Sequence, residues 1–301
     1  MDRPLRGILF FIAATMCFST SDTMAKVLSE HLPAVEIAWI RYTVFVSLSA
    51  MLVRRSGLGI TVRKPLWHVV RGLGLVGSAI FFMLSLRSLP LAEAATIGFA
   101  SPLLITILSV PLLGEVVGAR RWAAVVIGML GVLVVVRPGS AAFQPAALYG
   151  LASSLSWAVA TILTRKMAGQ HPAAMLLWSA VTGLIVLTGL MPLVFVTPTA
   201  REVGLALVLG VVASTGQYLM VFAYRHASAS LLAPFSYAQL LWAVIGGWLV
   251  FQTLPDIWTL AGGAIIAATG FIAIRSERRP FGPEKTGDQK KTGDMEKKQV
   301  V

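Results

Sequence analysis

Ten apolar runs, each about as long as a helix needs to cross a bilayer and separated by only a few residues, constrain this chain more than any other feature. They cover residues 5–27, 34–53, 67–86, 92–113, 121–136, 147–163, 173–194, 203–223, 230–251 and 257–274. Inside a bilayer every backbone N–H and C=O must be satisfied within its own segment. Runs of this length therefore predict helices and exclude an inserted soluble domain. The charged fraction of 13% is about half the ~25% of a soluble domain, which agrees. The expected fold class is all-α: a polytopic membrane protein of ten transmembrane helices. The first run follows Arg3 and Arg6 as a signal peptide would, but it matches a later helix and is read as a retained span.

That match belongs to a wider repeat. At an offset of 139, Lys26 falls on Arg165, Pro33 on Pro172 and Trp39 on Trp178; at 138, Arg87 falls on Arg225 and Arg137 on Arg275. The chain divides near 138–145 into a first five-helix repeat (1–139) and a second (140–275), with a polar tail at 276–301 expected to be disordered. Five is odd, so the second repeat enters the membrane upside down. Inverted repeats with a binding site between them mark secondary transporters.

Loop cations set the orientation. With the N-terminus inside, one face collects Arg3, Arg6, Arg54, Arg55, Arg63, Lys64, Arg71, Arg120, Arg121, Arg165, Lys166, Arg225, Arg275, Arg278 and Arg279. The other has Lys26, Arg87, Arg137 and Arg201. Both termini are expected in the cytoplasm. This placement accounts for the net charge of +12 without a nucleic-acid partner.

Charges within the spans cost about 2.5–3.5 kcal/mol each at a helix centre, and normally face a cavity or a partner. Asp22, Lys26, Glu36 and Arg41 fall in the first two runs, on either side of the turn at 30–33. Asp22 and Arg41 stand nearly equally far from that turn, as do Lys26 and Glu36. Asp22 with Arg41 is the favoured pair, lining a polar cavity or locking two helices together. Glu93, opening the fourth run, is a candidate proton site or an outer-surface carboxylate near Arg87. The eighth run offers Gln217 and Tyr218, the ninth Tyr237 and Gln239, and the sixth Ser153, Ser154 and Trp157. Aromatic walls with a few placed polar groups suit a ligand pocket, while interhelical hydrogen bonding is the plain alternative. Pro102 and Pro234 interrupt the fourth and ninth runs, which corresponds to the broken helices found at transporter sites.

No catalytic residues, cofactor or metal site are expected. The glycines from Gly72 to Gly77 mimic a dinucleotide motif but open a membrane helix. The four histidines are scattered, and Cys17 is the single cysteine.

The arrangement resembles the drug/metabolite transporter superfamily, in particular its ten-helix EamA-type members. The resemblance is carried by WIRY around Arg41, by LPLAEAATIGFASPLL at 89–104 and by ASLLAPFSYAQLLWAVIGGWLVF at 229–251. Asp22, Lys26, Glu36 and Arg41 together are similar to S-adenosylmethionine uptake carriers, and riboflavin importers and amino-acid or drug exporters share the general pattern. One departure stands out. Gly114-Glu115 follows the fourth helix as in the family, whereas the matching place after the ninth reads Gln252-Thr253. The resemblance implies a cofactor-free inner-membrane secondary transporter of a small organic metabolite. The substrate would bind at Asp22, Arg41, Trp157, Gln217, Tyr218, Tyr237 and Gln239, with Lys26, Glu36 and Glu93 as gating or ion-pair residues. A nucleoside-like or aromatic zwitterion suits the mixture of both charge signs with rings, and uptake suits the resemblance. Proton coupling, and either a monomer or a homodimer, are compatible with it. An exporter is the alternative; an integral membrane enzyme on lipid-linked substrates, or a scaffold, would be a different class.

Overall fold

The computed structural model describes residues 3–56, 62, 64–167, 172–227 and 232–277. The tail is expected to be disordered, but from 278 on it lies outside the described residues, as does the start of the ninth run at 230. Among the described residues there are helices and no strands. They are α1 (Arg3–Leu28), α2 (Ala34–Ser56), α3 (Pro65–Leu86), α4 (Leu91–Gly98), α5 (Ser101–Leu113), α6 (Ala119–Val136), α7 (Ala146–Lys166), α8 (Pro172–Val194), α9 (Ala200–His226), α10 (Ala238–Phe251) and α11 (Ile257–Glu277). A 3-10 turn, Ala233–Tyr237, leads directly into α10. Because α4 and α5 together form one span, as do the 3-10 turn and α10, ten spans result. Seven are long and apolar enough to cross a membrane, and three are shorter apolar helices.

The helix ends follow local rules. Pro65 and Pro172 open α3 and α8, where a missing N–H costs nothing. Thr199 and Glu202 form a reciprocal capping box at the start of α9: the Glu202 N–H donates to Thr199 Oγ1 at 3.3 Å, and the Thr199 N–H donates to Glu202 Oε2 at 2.8 Å. Gly114 ends α5 in the left-handed region at φ 71°. Gln252, which is 252 − 114 = 138 residues later, ends α10 in the same region at φ 53° despite its side chain.

The proline breaks fall as expected. The α4–α5 span turns at Phe99 and Ala100, just before Pro102, and the ninth span enters through the 3-10 turn that holds Pro234. At the first break Ser154 of α7 donates to the Ile97 carbonyl at 3.1 Å, and Ser101 donates to the Gly98 carbonyl at 2.8 Å. The interrupted backbone is thus satisfied by neighbours, as lipid requires.

The packing obeys an exchange of the two halves. Span one packs on span eight (α1 on α9), and span six packs on span three (α7 on α3). Likewise α2 on α9 is matched by α8 on α3, while α2 on α8 and α6 on α11 each map onto themselves. At the last of these crossings Gly131 and Gly262 bring two backbones together: a Cβ on Gly262 would meet the Gly131 carbonyl at 2.6 Å. The breaks themselves meet where the halves exchange. The Phe99 and Tyr237 rings stack with centroids 5.1 Å apart, and they too are 237 − 99 = 138 residues apart.

Candidate functional site

Charge gathers inside the bundle where α1 packs against α10. Asp22 of α1 has the Arg41 guanidinium of α2 as its charged neighbour and the Gln239 amide of α10 as its side-chain hydrogen-bonding neighbour. Asp22 and Arg41 do not close to ion-pair distance among the described residues. The favoured pair is therefore an electrostatic neighbourhood with room between its members. Two residues before Gln239, Tyr237 stacks on Phe99 and donates its hydroxyl to the Ile266 carbonyl at 3.2 Å.

The same two helices, α1 and α10, hold polar atoms without partners among the described residues: Ser19 Oγ and Ser21 Oγ on α1, and Trp242 Nε1 on α10, all buried. Thr23, one turn beyond Ser19, packs against Gly246 of α10, and Lys26 lies 5.4 Å over the Phe251 ring. These contacts set α1 and α10 side by side in parallel, so Ser19 sits at about the level of Trp242. Buried polar groups are almost always bonded, so unbonded ones on the two helices that carry Asp22 and Gln239 are spare hydrogen-bonding capacity. Trp242 belongs to the polar and aromatic cluster that the sequence places on the ninth run with Ser236, Tyr237 and Gln239, whereas Phe99, Ser19 and Ser21 were not among the residues expected from sequence. A hydroxyl or an aromatic ring in an apolar run carries no signal until its neighbours are known.

Trp157 is 42% exposed although it shares a face of α7 with Gly150 and Ser154, which pack on the α4–α5 break. Tyr218 of α9 lies with its hydroxyl 3.3 Å from Ser49 Oγ of α2, and Gln217 beside it is half-buried. Neither is brought to the Asp22 cluster by a direct contact among the described residues.

Lys26, Glu36 and Glu93 are placed elsewhere, at the ends of helices. Lys26 donates to the carbonyls of Leu86, at 2.8 Å, and Leu89, where α3 ends. The buried carboxylate of Glu36 accepts the Val196 N–H at 3.2 Å, between α8 and α9. Lys26 and Glu36 are not an ion pair: orphan backbone groups at helix ends take both charges. Glu93 has Arg137 and Asp256 as its charged neighbours, not Arg87. Arg137 in turn is ion-paired with Asp256 at 2.7 Å, tying the end of α6 to the start of α11. Beside this pair a shallow cavity of about 520 Å³ is lined by Arg137, Ser140 and Trp258.

Arg71, counted with the loop cations, is instead buried in α3. Its Nε donates to Thr164 Oγ1 at 2.6 Å, and its Nη1 donates to the Met175 carbonyl at 3.1 Å and to Ser179 Oγ. It binds three helices into one block. Glu115 and Arg165, paired at 3.1 Å, fasten the loop after α5 to the same block. Among the described residues no cluster of His, Cys, Asp and Glu is arranged to hold a metal ion.

Comparison with known proteins agrees with this architecture. The EamA-like transporter family matches twice, over residues 5–137 and 144–275. The chain is 29% identical to an S-adenosylmethionine uptake transporter of Rickettsia prowazekii over 91% of its length and 94% of the relative's. It is 28% identical to the pseudopaline exporter CntI of Pseudomonas aeruginosa over 92% of its length and 99% of that protein's. It is also 28% identical to a riboflavin transporter of Rhizobium johnstonii, over 92% and 94%. A solved crystal structure superposes with a TM-score of 0.65 at 22% identity, covering 91% of this chain and 98% of that one, and shares the fold. Two matched five-span repeats, an all-helical bundle and relatives named for transport lead to one statement: this chain is a multi-pass membrane transporter, not an enzyme, and belongs to the EamA-like transporter family.

Proposed function

We propose that this protein is a secondary carrier that takes up a small zwitterionic, nucleoside-like or aromatic metabolite across the bacterial inner membrane by alternating access. Both termini lie in the cytoplasm, as the loop cations direct. The observation that carries the reading is the cluster of Asp22, Arg41 and Gln239, where opposite charges lie near each other without closing a pair. A solute with a cationic centre and a carboxylate fits between them. Ser19, Ser21 and the Trp242 indole add hydrogen-bonding capacity, and Phe99, Tyr237 and Trp157 supply ring surfaces. S-adenosylmethionine combines these properties, and the relatives named for its uptake support the choice; riboflavin is the second solute to test.

The test is flux into proteoliposomes of purified protein, with labelled S-adenosylmethionine and riboflavin in parallel. Wild-type protein is expected to accumulate or exchange one of them. Asp22→Asn and Arg41→Gln are expected to lower flux at least tenfold, with the melting temperature shifted by only a few degrees. No flux of either solute, or equal flux in the variants, would remove this substrate class. An imposed pH gradient in the same vesicles reads proton coupling. The pseudopaline exporter relative supports an export reading instead; solute trapped inside oriented vesicles distinguishes the two directions.

A further inference from the structure

The two interrupted spans are braced differently. In the first, α7 holds the break. Ser154 donates to the Ile97 carbonyl at 3.1 Å and to the Gly98 carbonyl at 3.3 Å. Gly150 brings the α7 backbone close to the buried Ile97, whose side chain would meet a Cβ there at 2.9 Å. The Ala100 N–H donates back to the Ile97 carbonyl at 2.9 Å, so Phe99 sits on a turn that is bonded on both sides.

In the second, the 3-10 turn runs straight into α10, and Tyr237 stands where one becomes the other. Its side chain is pinned twice. The ring lies on Phe99 with centroids 5.1 Å apart and planes inclined by 22°, and the hydroxyl donates to the Ile266 carbonyl of α11 at 3.2 Å. Stacked rings at this separation attract one another beyond the area they bury.

Gln239 follows two residues later. At ~3.6 residues per turn, side chains two apart leave a helix about 200° from each other. Tyr237 therefore presses on the first break and on α11, while Gln239 leaves the opposite side of α10, towards Asp22 on α1. The repeat equivalents separate the roles. As Phe99 corresponds to Tyr237, so Ser101 corresponds to Gln239 at the same offset. Ser101 closes its own break, donating to the Gly98 carbonyl at 2.8 Å. The amide at the same place in the second break is instead the hydrogen-bonding neighbour of Asp22.

We infer that Phe99 is a positioning residue of the solute site: its ring, stacked on Tyr237, sets the entry to α10 and so holds Gln239 beside Asp22. The inference rests on the reading of Asp22 and Gln239 as part of that site. It gives the Phe99 face that Tyr237 covers a task separate from any contact with the solute. The first half of the chain thereby shapes a site whose amide belongs to the second.

The test is a double-mutant cycle on uptake kinetics, in proteoliposomes supplied with S-adenosylmethionine and riboflavin. Phe99→Leu keeps an apolar side chain but loses the stack. It is expected to raise KM roughly fivefold, the scale of a stacked aromatic pair, with the maximal rate held. Phe99→Tyr restores the ring and is expected to stay near wild type. Gln239→Ala is expected to raise KM by itself. Adding Phe99→Leu to it is expected to change nothing more, because a residue acting through Gln239 then has nothing left to position. Full additivity, or an unchanged KM in folded Phe99→Leu, overturns the inference. A second measurement needs no solute. In protein carrying isotope-labelled glutamine, the Gln239 side-chain amide gives a magnetic-resonance signal identified by its loss in Gln239→Ala. That signal is expected to shift in Phe99→Leu and to stay in place in Phe99→Tyr. A shifted signal without flux of either solute leaves the positioning role and removes the proposed substrate class. Flux with an unmoved signal removes the positioning role and leaves the carrier.

Discussion

Charged side chains in this bundle are divided between two tasks, and their neighbours decide which. Lys26, Glu36 and Arg71 are spent on backbone carbonyls, an amide N–H and hydroxyls, because unsatisfied helix ends and buried donors demand partners where water is scarce. Asp22 has Arg41 as its charged neighbour and Gln239 as its hydrogen-bonding neighbour, and among the described residues it closes no ion pair with Arg41. That difference separates a brace from a candidate site. Outside the spans, the pair of Arg137 with Asp256 follows ordinary surface rules. Desolvation pushes the Asp256 carboxyl up, but the Thr259 side chain and N–H together with Arg137 outweigh it and hold the group below the usual carboxylate range. A depressed folded-state value means that its stabilising contribution is complete above the unfolded value of about 3.9 and is lost as pH falls through the folded one. Melting temperature is therefore expected to drop below pH ~4 by an amount that Asp256→Asn reduces. The exposed pair is worth at most about 1 kcal/mol. A pH profile identical in wild type and variant would remove the argument. Asp22, Arg41 and Gln239 stand out in the sequence because polar groups in apolar runs are costly. Phe99 does not, since an aromatic ring is at home in lipid wherever it points.

At the scale of helices, the repeat preserves backbone geometry even where it changes the residue. Gly114 and Gln252 end equivalent spans in the left-handed region. A side chain there costs roughly 1–2 kcal/mol, whereas glycine adopts the conformation freely. Gln252→Gly is therefore expected to stabilise the protein by roughly 0.5–1 kcal/mol, part of the gain being offset by the freer unfolded chain. Thermal unfolding in detergent reads this, and a fall in stability would mean that the Gln252 side chain holds more than its own backbone. The prolines show the same economy. Pro102 and Pro234 each mark an interruption, yet their sequence positions do not coincide in the repeat. Phe99 and Tyr237 do coincide, and it is they that touch. Prolines announce that a span is broken; the residues meeting at the break are set by how the two spans cross.

Across the whole molecule, close backbone approach holds the halves together at the crossing of α6 and α11. A Cβ on Gly262 would meet the Gly131 carbonyl at 2.6 Å and the Val135 side chain as well. Gly262→Val is expected to cost about 2–3 kcal/mol through overpacking, seen as a lower melting temperature and poorer monodispersity. Unchanged behaviour would show that α6 and α11 can part without loss. The spans, the repeat and the face that gathers cations follow from sequence alone, because the free energy of moving a segment into lipid is summed residue by residue along the chain. Which charges are consumed at helix ends and which are left near each other depend on contacts such as Lys26 with Leu86 and Glu36 with Val196, 60 and 160 residues apart. Hydropathy is a property of one segment and its solvent, so it is blind to such pairs. They exist only once helices from both halves have packed, and the tertiary structure alone decided them.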